Sequence, residues 1–348
     1  MQNSAMASNT AASLPESALL PATVPISIVN GFLSKSDPAT VSRLATRCGL
    51  PNGLLGRNGA RITREQFSLL YRTLANELDD EMPGVFSRPL RSGTLKYMCL
   101  SMIDAPRLEV ALHRMSQFFH LVLDDFRISV GGLAGTGFVE VVPVGDNRDG
   151  DGSELGKLLL LKLVHGISSW LIQGQLPLSR IEFDFQRPPM VDDYLSLFPG
   201  RSHFSCSRSS ISFSDEHMTS LIRQNRANLR AFLARAPEDW IFSSFAHRPT
   251  YNRCLQLIRD ALPDSISLAA VAMRMHCSER TLCRKLSAEG GGFQCIKDEV
   301  RRDVAIQKLT QTDAPLSEVG AFVGFDNSTA FHRAFRVWTG STPGSYRK

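Results

Sequence analysis

Apolar positions in the last hundred residues fall at helical spacing, and they do so twice in the same order. In "SLAAVAMRM" (267–275), Leu268, Val271, Ala272 and Met275 recur at i, i+3, i+4 and i+7, one stripe on a helix. "HC" interrupts the stripe, and Ser278 is placed to cap a second helix, "SERTLCRKLSAEG", with Leu282 and Leu286 on its inner face. Gly290–Gly292 is expected to end it, because glycine tolerates the left-handed conformation of a helix terminus. A longer helix is predicted from about Phe293 to Gln311, with Phe293, Ile296, Val300, Val304 and Leu309 as its apolar face. The first pattern then returns. Pro315 starts a short helix lined by Leu316, Val319 and Val323, Gly324-Phe325 turns the chain, and Asn327 or Ser328 caps "STAFHRAFRVW". Phe331, Phe335 and Trp338 fall on the inner side of that last helix.

The preceding region mixes two periods. Helical spacing marks "TREQFSLLYRTLANEL" (63–78; Phe67, Leu70, Leu74, Leu78), "PRLEVALHRMSQFFHLVL" (106–123), and the stretches around 154–174 and 215–234. Alternation in "RIEFDFQ" (180–186) puts Ile181, Phe183 and Phe185 on one face and Glu182, Asp184 and Gln186 on the other, as in a half-buried strand. Further strands are predicted at Thr94–Ile103, Phe126–Val130, Gly137–Val142 and Ser207–Phe213. The expected architecture is a disordered tail over 1–20, an α+β effector-sensing or dimerisation domain over 21–235, and a join over 236–250. An all-α domain over 251–348 then holds two helix-turn-helix units joined by a long connecting helix.

Composition narrows this only in part. A hydrophobic share of 43% and a charged share of 21% are those of an ordinary globular protein. The longest apolar stretch, near Leu158–Leu163, is short and contains Lys162, so no bilayer span is expected. The first twenty residues lack the basic and apolar regions of a signal peptide. Seven cysteines in scattered positions, with no C-x-x-C pair, fit reduced thiols in a cytoplasm better than a disulfide framework or zinc site. Net charge is +5, and its placement matters more: from Thr250 onward there are 14 Lys and Arg against 10 Asp and Glu, an excess of four. The basic excess thus sits where a polyanion would be held.

Two short helices joined by a tight turn form a helix-turn-helix, whose second helix lies in the major groove and shows its early residues to base edges. The outward positions of the first unit are Arg280, Cys283 and Arg284; those of the second are Ser328, Thr329, His332 and Arg333. Arginine can engage O6 and N7 of guanine together, which discriminates by about 1–3 kcal/mol. Lys285 and Arg336 are suited to the phosphate backbone, which positions the protein without reading sequence. A connecting helix of about 19 residues spans roughly 28 Å at ~1.5 Å each, close to the ~34 Å of one B-DNA turn. Two such units therefore suit successive major-groove segments on one face of a duplex.

"CSERTLCRKLSAEG", "VRRDVAIQKL" and "LSEVGAFVGFDNSTAFHRAFRVWTGSTPGSYR" resemble the paired helix-turn-helix domain of the AraC/XylS family of bacterial transcription regulators, over about Leu268–Arg347. "GQLPLSRIEFDFQRP" and "YLSLFPGRSHFSCSRSSISF" are similar, more loosely, to the sensor domain of family members related to ornithine-utilisation and quorum-linked virulence regulators. The resemblance implies a bacterial, cytoplasmic activator that binds double-stranded promoter DNA and meets RNA polymerase. It also implies an N-terminal domain that binds a small-molecule effector or forms a homodimer. No cofactor, metal or catalytic constellation is expected. A ligand-independent regulator whose N-terminal domain binds another protein, and an enzyme fused to a DNA-binding module, are the alternatives. Three positions depart from the family pattern. Cys283 stands where a long polar residue is common, Gly320 where alanine is usual, and Phe322 is apolar at an outward position. Glycine in a helix costs roughly 0.5–1 kcal/mol against alanine.

Other motifs read as structure. "GDNRDGDGSE" (145–154) lacks the bidentate acid of a calcium loop and is expected to be a loop. "GGLAGTG" (131–137) is expected to turn a hairpin. Asp124-Asp125 and Asp192-Asp193 are neighbours that point to opposite faces of a strand, not acid/base pairs. His113 and His120 share one helix face and are expected in a core or capping role.

Overall fold

The computed structural model describes residues 23–51, 53–145, 151–187, 198, 202–242, 249–289 and 291–347. The predicted tail, residues 146–150 of the predicted loop 145–154, and Asp192-Asp193 lie outside the described residues; residues 151–154 of that stretch are helical and not loop.

The N-terminal part is α+β. Strands β1 (Thr23–Pro25) and β2 (Arg61–Thr63) pair antiparallel, with Val24 opposite Ile62. Between them lie α1 (Ile26–Leu33) and α2 (Pro38–Arg47), and after them α3 (Arg64–Leu78). Helix α3 starts on a full capping box: Thr63 accepts from the Gln66 amide while the Gln66 side chain accepts from the Thr63 amide. Next come α4 (Thr94–Met102) and α5 (Leu108–Val122), then β3 (Phe126–Leu133), β4 (Thr136–Pro143) and α6 (Asp151–Leu171). Strands β5 (Arg180–Glu182), β6 (Ser202–His203) and β7 (Ser209–Ser214) complete a five-stranded sheet in the order β3-β4-β7-β5-β6. All its neighbours are antiparallel except β5 and β6.

The sheet's inner face, with Val139, Val141, Ile211 and Phe213, is buried along with the continuous apolar run of α6. Lys162, inside that run, is fully buried with its ammonium 5.7 Å from the centre of the Phe198 ring. Burial drives its pKa well below the ordinary lysine value. Five residues earlier on the same helix, Lys157 is also buried and is anchored by an ion pair to Asp184 at 2.9 Å.

Several predicted elements differ in the structure. Thr94–Ile103 is a helix, α4, and not a strand. Its start is fixed from outside the segment: Gly93 takes a left-handed φ of 99°, and the Glu81 carboxylate accepts from the Gly93 and Leu95 amides at 2.7 and 2.6 Å. Met98, Cys99 and Met102 then share one buried side. The helical spacing around 215–234 resolves into a short 3-10 turn at Asp215–Thr219 and a separate helix α7 (Arg226–Arg235), capped by Asn225. Between them Ser220 accepts from the Leu108 amide and Leu221 bridges Arg107, so the chain is spent on α5. Only Arg180–Glu182 of "RIEFDFQ" joins the sheet; Phe183 is buried and Phe185 partly so. The "GGLAGTG" stretch does turn a hairpin: Leu133 opposes Thr136 across Ala134 and Gly135, both at positive φ (48° and 82°). His113 and His120 are exposed on α5, not in the core, with His120 in the helix's last turn. Asp125 is buried and accepts from the Ser87 amide and hydroxyl.

The stretch predicted as a join is folded over its first part. Helix α8 (Glu238–Ile241) follows α7, and Trp240, Ile241 and Phe242 are buried. Trp240 packs on Tyr71, and Phe242 packs on Phe67 beneath the Arg64 guanidinium. Gly166 of α6 is needed there, since a Cβ at that position would lie 2.4 Å from the Trp240 carbonyl oxygen.

The remaining chain is helical: α9 (Pro249–Ala261), α10 (Leu268–Arg274), α11 (Glu279–Ala288), α12 (Phe293–Gln311), α13 (Leu316–Phe322) and α14 (Ser328–Thr339). Helix α9 falls in the predicted all-α domain but was not delimited within it. Tyr251, Cys254, Leu255 and Ile258 are its buried face, and the Glu289 carboxylate accepts from the Thr250 and Tyr251 amides at its start. Ile296, Val300, Val304 and Leu309 of α12 are buried as predicted, and Phe293 is half-buried. The glycine stop after α11 falls partly outside the described residues, and the helix's C-cap is Glu289.

Helix α12 also meets the N-terminal part. The Thr23 hydroxyl donates to the Asp303 carboxylate at 2.6 Å, and Arg61 Nε donates to the Thr23 hydroxyl at 2.9 Å. Arg302 donates to Asp303 at 2.9 Å, and the Arg61 amide donates to the Tyr346 hydroxyl at 3.0 Å. Asp303 and Arg61 are buried. Burial alone would raise the Asp303 pKa, but the guanidinium groups of Arg302 and Arg61 and the Thr23 hydroxyl outweigh it and hold the carboxyl below its ordinary value. Close by, Gly340 takes a left-handed φ of 65° with Asn58's carbonyl oxygen 2.5 Å from where a Cβ would sit.

Candidate nucleic-acid interface

Helix pairs α10–α11 and α13–α14 are joined by turns built alike. In the first, the Cys277 amide donates to the Ala272 carbonyl (3.0 Å) and the His276 amide to Met273 (3.1 Å). In the second, the Phe325 amide donates to Gly320 (3.0 Å) and the Gly324 amide to Ala321 (2.9 Å). These are the paired 6→1 and 5→2 bonds of a helix end closed by a left-handed residue. That residue is His276 at φ 51° in one turn and Gly324 at φ 79° in the other. Each second helix then starts on a side-chain cap: Ser278 accepts from the Thr281 amide, and Asn327 from the Ala330 amide.

The inner faces fix the angle within each pair. Leu282 and Leu286 are buried beneath α11, with Val271 and Ala272 of α10. In the second pair Phe331 and Phe335 are buried and Trp338 is half-buried. Phe331 stacks obliquely on Phe325 and Phe335, with ring centres 5.8 and 5.7 Å away. Gly320 explains itself here. A Cβ on it would lie 3.1–3.2 Å from the Phe331 side chain, so α13 approaches α14 at the point where glycine stands. Gly320→Leu should therefore lower stability by about 1–3 kcal/mol through overpacking, read as a fall in the thermal unfolding midpoint. An unchanged or higher midpoint would show that the ring yields freely. Phe322 is partly exposed and packs on the connecting helix: the Lys308 ammonium lies 3.7 Å from its ring centre.

Polar side chains predicted to face outward do so. Arg280, Cys283, Arg284 and Lys285 are exposed on α11. Ser328, Thr329, Arg333 and Arg336 are exposed on α14, and His332 is half-buried beside the Phe331 ring. Arg280, Cys283 and Arg284 share one face at i, i+3 and i+4; Thr329, His332, Arg333 and Arg336 share one on α14. Two groups escaped sequence reasoning: the Thr23–Arg61–Asp303 contact, and a cavity of about 460 Å3 in the N-terminal part. No helix among the described residues is long and apolar enough to cross a membrane.

An α+β domain joined to a helical region with a basic, outward-facing helix surface defines a DNA-binding regulator as the class. The particular family follows from comparison with known proteins: the chain belongs to the AraC transcription regulators. Residues 39–221, just over half the chain, match the family described as "Arabinose-binding domain of AraC transcription regulator, N-term", and residues 271–348 match "Helix-turn-helix domain". The ornithine utilization regulator of Pseudomonas aeruginosa is 28% identical over 228 residues, 66% of this chain and 64% of that protein. The regulator VqsM of the same organism is 32% identical over 94 residues, 27% of this chain and 29% of its own. The matched part thus spans less than two thirds of these relatives' length. The crystal structure of the transcriptional regulator CdpR from Pseudomonas aeruginosa aligns over 92% of this chain and 96% of its own, with a TM-score of 0.34 at 22% identity, too loose to carry a role across.

Proposed function

We propose that this regulator reads promoter DNA through two helix-turn-helix units, α10–α11 and α13–α14, held apart by α12 within a domain spanning 251–348. The observation that carries it is the matched pair of turns, each followed by a capped helix with a buried apolar side and an exposed polar one. Arg284 and Arg333 read guanine, with Arg280, Ser328, Thr329 and His332 beside them. Lys285 and Arg336 hold phosphates. Cys283 lies in the contact face but adds little base discrimination, since a thiol is a weak donor. The domain over 21–235 binds a small-molecule effector or a second copy of the chain, and residues 236–250 carry its state to the helices. The protein acts in a bacterial cytoplasm as an activator that meets RNA polymerase, and it is not an enzyme. Family membership and the regulators among its relatives support this reading.

Arg284→Ala and Arg333→Ala should each weaken binding to a duplex selected from a random pool by about 1–3 kcal/mol, roughly 5–150-fold, and relax the preferred base at one position. Lys285→Ala should weaken selected and unrelated duplexes alike and reduce the salt dependence. Gel-shift titrations over a salt series measure both. Arginine variants that bind the selected duplex like the parent would remove the reading role from those residues.

A further inference from the structure

The cavity of about 460 Å3 lies in the N-terminal part and not within the five-stranded sheet. Helix α3 supplies one wall with Tyr71, Arg72 and Ala75, and α4 another with Lys96 and Met98. Phe119 and Leu163 contribute from α5 and α6. The last wall is Leu233, Ala234, Ala236 and Trp240, the segment that leaves this part of the chain toward the DNA-binding helices. Its volume is within the ~300–1,000 Å3 of small-molecule sites, and such sites pair an apolar lining with few polar groups.

Glu81 is the one acid among the described lining residues. Its two carboxylate oxygens each accept one amide, from Gly93 and Leu95. A carboxylate has about four lone-pair sites, so each oxygen retains capacity for another donor. Two lining cations, Arg72 and Lys96, are engaged elsewhere. Arg72 donates to the Ala236 carbonyl at 2.9 Å and lies 3.6 Å from Glu238, while the Lys96 ammonium rests 5.4 Å from the centre of the exposed Tyr97 ring. Tyr71, Phe119 and Trp240 add aromatic surface, which attracts an organic cation once water is excluded. Burial raises the Glu81 pKa, against the pull of the two amides. A bound cation would favour the ionised carboxylate.

We propose that this cavity is the effector site and that it takes a small apolar amine, with the ammonium on Glu81 and the apolar body against the aromatic and methionine side chains. This rests on the effector-controlled reading above and adds a ligand class and a route. Occupancy fills the space between α3 and the 233–240 segment, and Arg72 already ties α3 to Ala236 and Glu238. A ligand there changes how that segment packs, and so the affinity of the helices beyond it for DNA.

The test uses the full chain, 2-phenylethylamine as probe, and 2-phenylethanol and 3-phenylpropanoate as matched controls, followed by calorimetry and by gel shift on the selected duplex. The amine should bind at one site at least about tenfold more tightly than either control, a difference of about 1.4 kcal/mol. Saturating amine should change duplex affinity about fivefold or more. Glu81→Gln should remove the preference for the amine and leave the alcohol unaffected. Because Glu81 also starts α4, Ala75→Phe serves as the second variant: it fills the cavity and should abolish binding of all three probes. Tighter binding of the propanoate, amine binding undisturbed by Ala75→Phe, or no saturation by any probe up to about 10 mM would each overturn the assignment. Duplex binding without probe is recorded in the same samples, so a failed ligand site and a failed DNA-reading role give different results.

Discussion

Replacing Asp303 with alanine should destabilise the chain by about 3–5 kcal/mol, because breaking a buried ion pair leaves its partners charged and uncompensated. The partners are Arg61, buried at the start of β2, and Arg302, whose side chain is 19% exposed. Thr23 would lose the acceptor it holds at 2.6 Å. Guanidinium groups do not deprotonate in the accessible pH range, so the variant has no titration by which to escape the cost. Asp303→Asn keeps the shape and one acceptor and should cost less. The pH dependence has a definite sign. Asp303's folded pKa is held below its ordinary value, so its contribution is fully present above the unfolded value of about 3.9 and is lost as pH falls through the folded one. Asp303→Asn should therefore flatten the acid limb of the stability curve below about pH 4. Denaturant unfolding at pH 7 and pH 3 measures both effects; coincident curves for parent and alanine variant would show the contact contributes nothing.

The same contact bears on control. It holds the connecting helix to the β1–β2 pair, yet Arg284 and Arg333 remain exposed. In this arrangement the described N-terminal residues leave the proposed DNA-contact side chains Arg284 and Arg333 exposed. On the proposed reading, control through this interface shifts the position or freedom of α12, since Arg284 and Arg333 on α11 and α14 are already exposed. Asp303 and the Trp240 segment are two of the places where the N-terminal fold grips the helical part or the path to it, beside the contacts of Tyr346 with Arg61 and of Gly340 with Asn58.

How far the sequence spoke depended on whether its signals were local. The helices from 268 onward carry their own apolar stripes and caps, so Ser278, Asn327 and Gly324 stand where periodicity and turn chemistry predict them. Outward positions follow from the stripe, and all the predicted contact residues but half-buried His332 are exposed. Thr94–Ile103 failed because its helix start is set by Glu81, twelve or more residues upstream, and nothing in "TLKYMCLSM" announces that cap. Asp303 sits in "VRRDVAIQKL" like any solvated helix charge; its burial depends on Thr23, 280 positions away. The cavity has no sequence signature at all, since it is the gap left among six helices, α3 to α8. By contrast α9 was legible: Tyr251, Cys254, Leu255 and Ile258 repeat at i, i+3, i+4 and i+7, the spacing used elsewhere in the same domain.

Phe331→Ala should cost about 3–5 kcal/mol, the range for removing a buried phenylalanine. The ring is fully buried between Phe325 and Phe335 and lies against Gly320. With Gly320 opposite, that wall offers no side chain to refill the space, so part of the cavity remains and the cost falls toward the upper end. The damage should be unequal between the two helix pairs. Leu282 and Leu286 beneath α11 do not depend on Phe331, so the first pair keeps its shape while the angle between α13 and α14 is lost. Binding to a selected duplex should then fall sharply, and substitutions in the part of the site read by α14 should have no further effect, whereas those in the part read by α11 still should. Footprinting of parent and variant on duplexes altered in either half distinguishes this from general unfolding, which would abolish protection of both halves together. Loss of both halves at a temperature where the variant remains folded by circular dichroism would mean the two pairs do not act as separable readers.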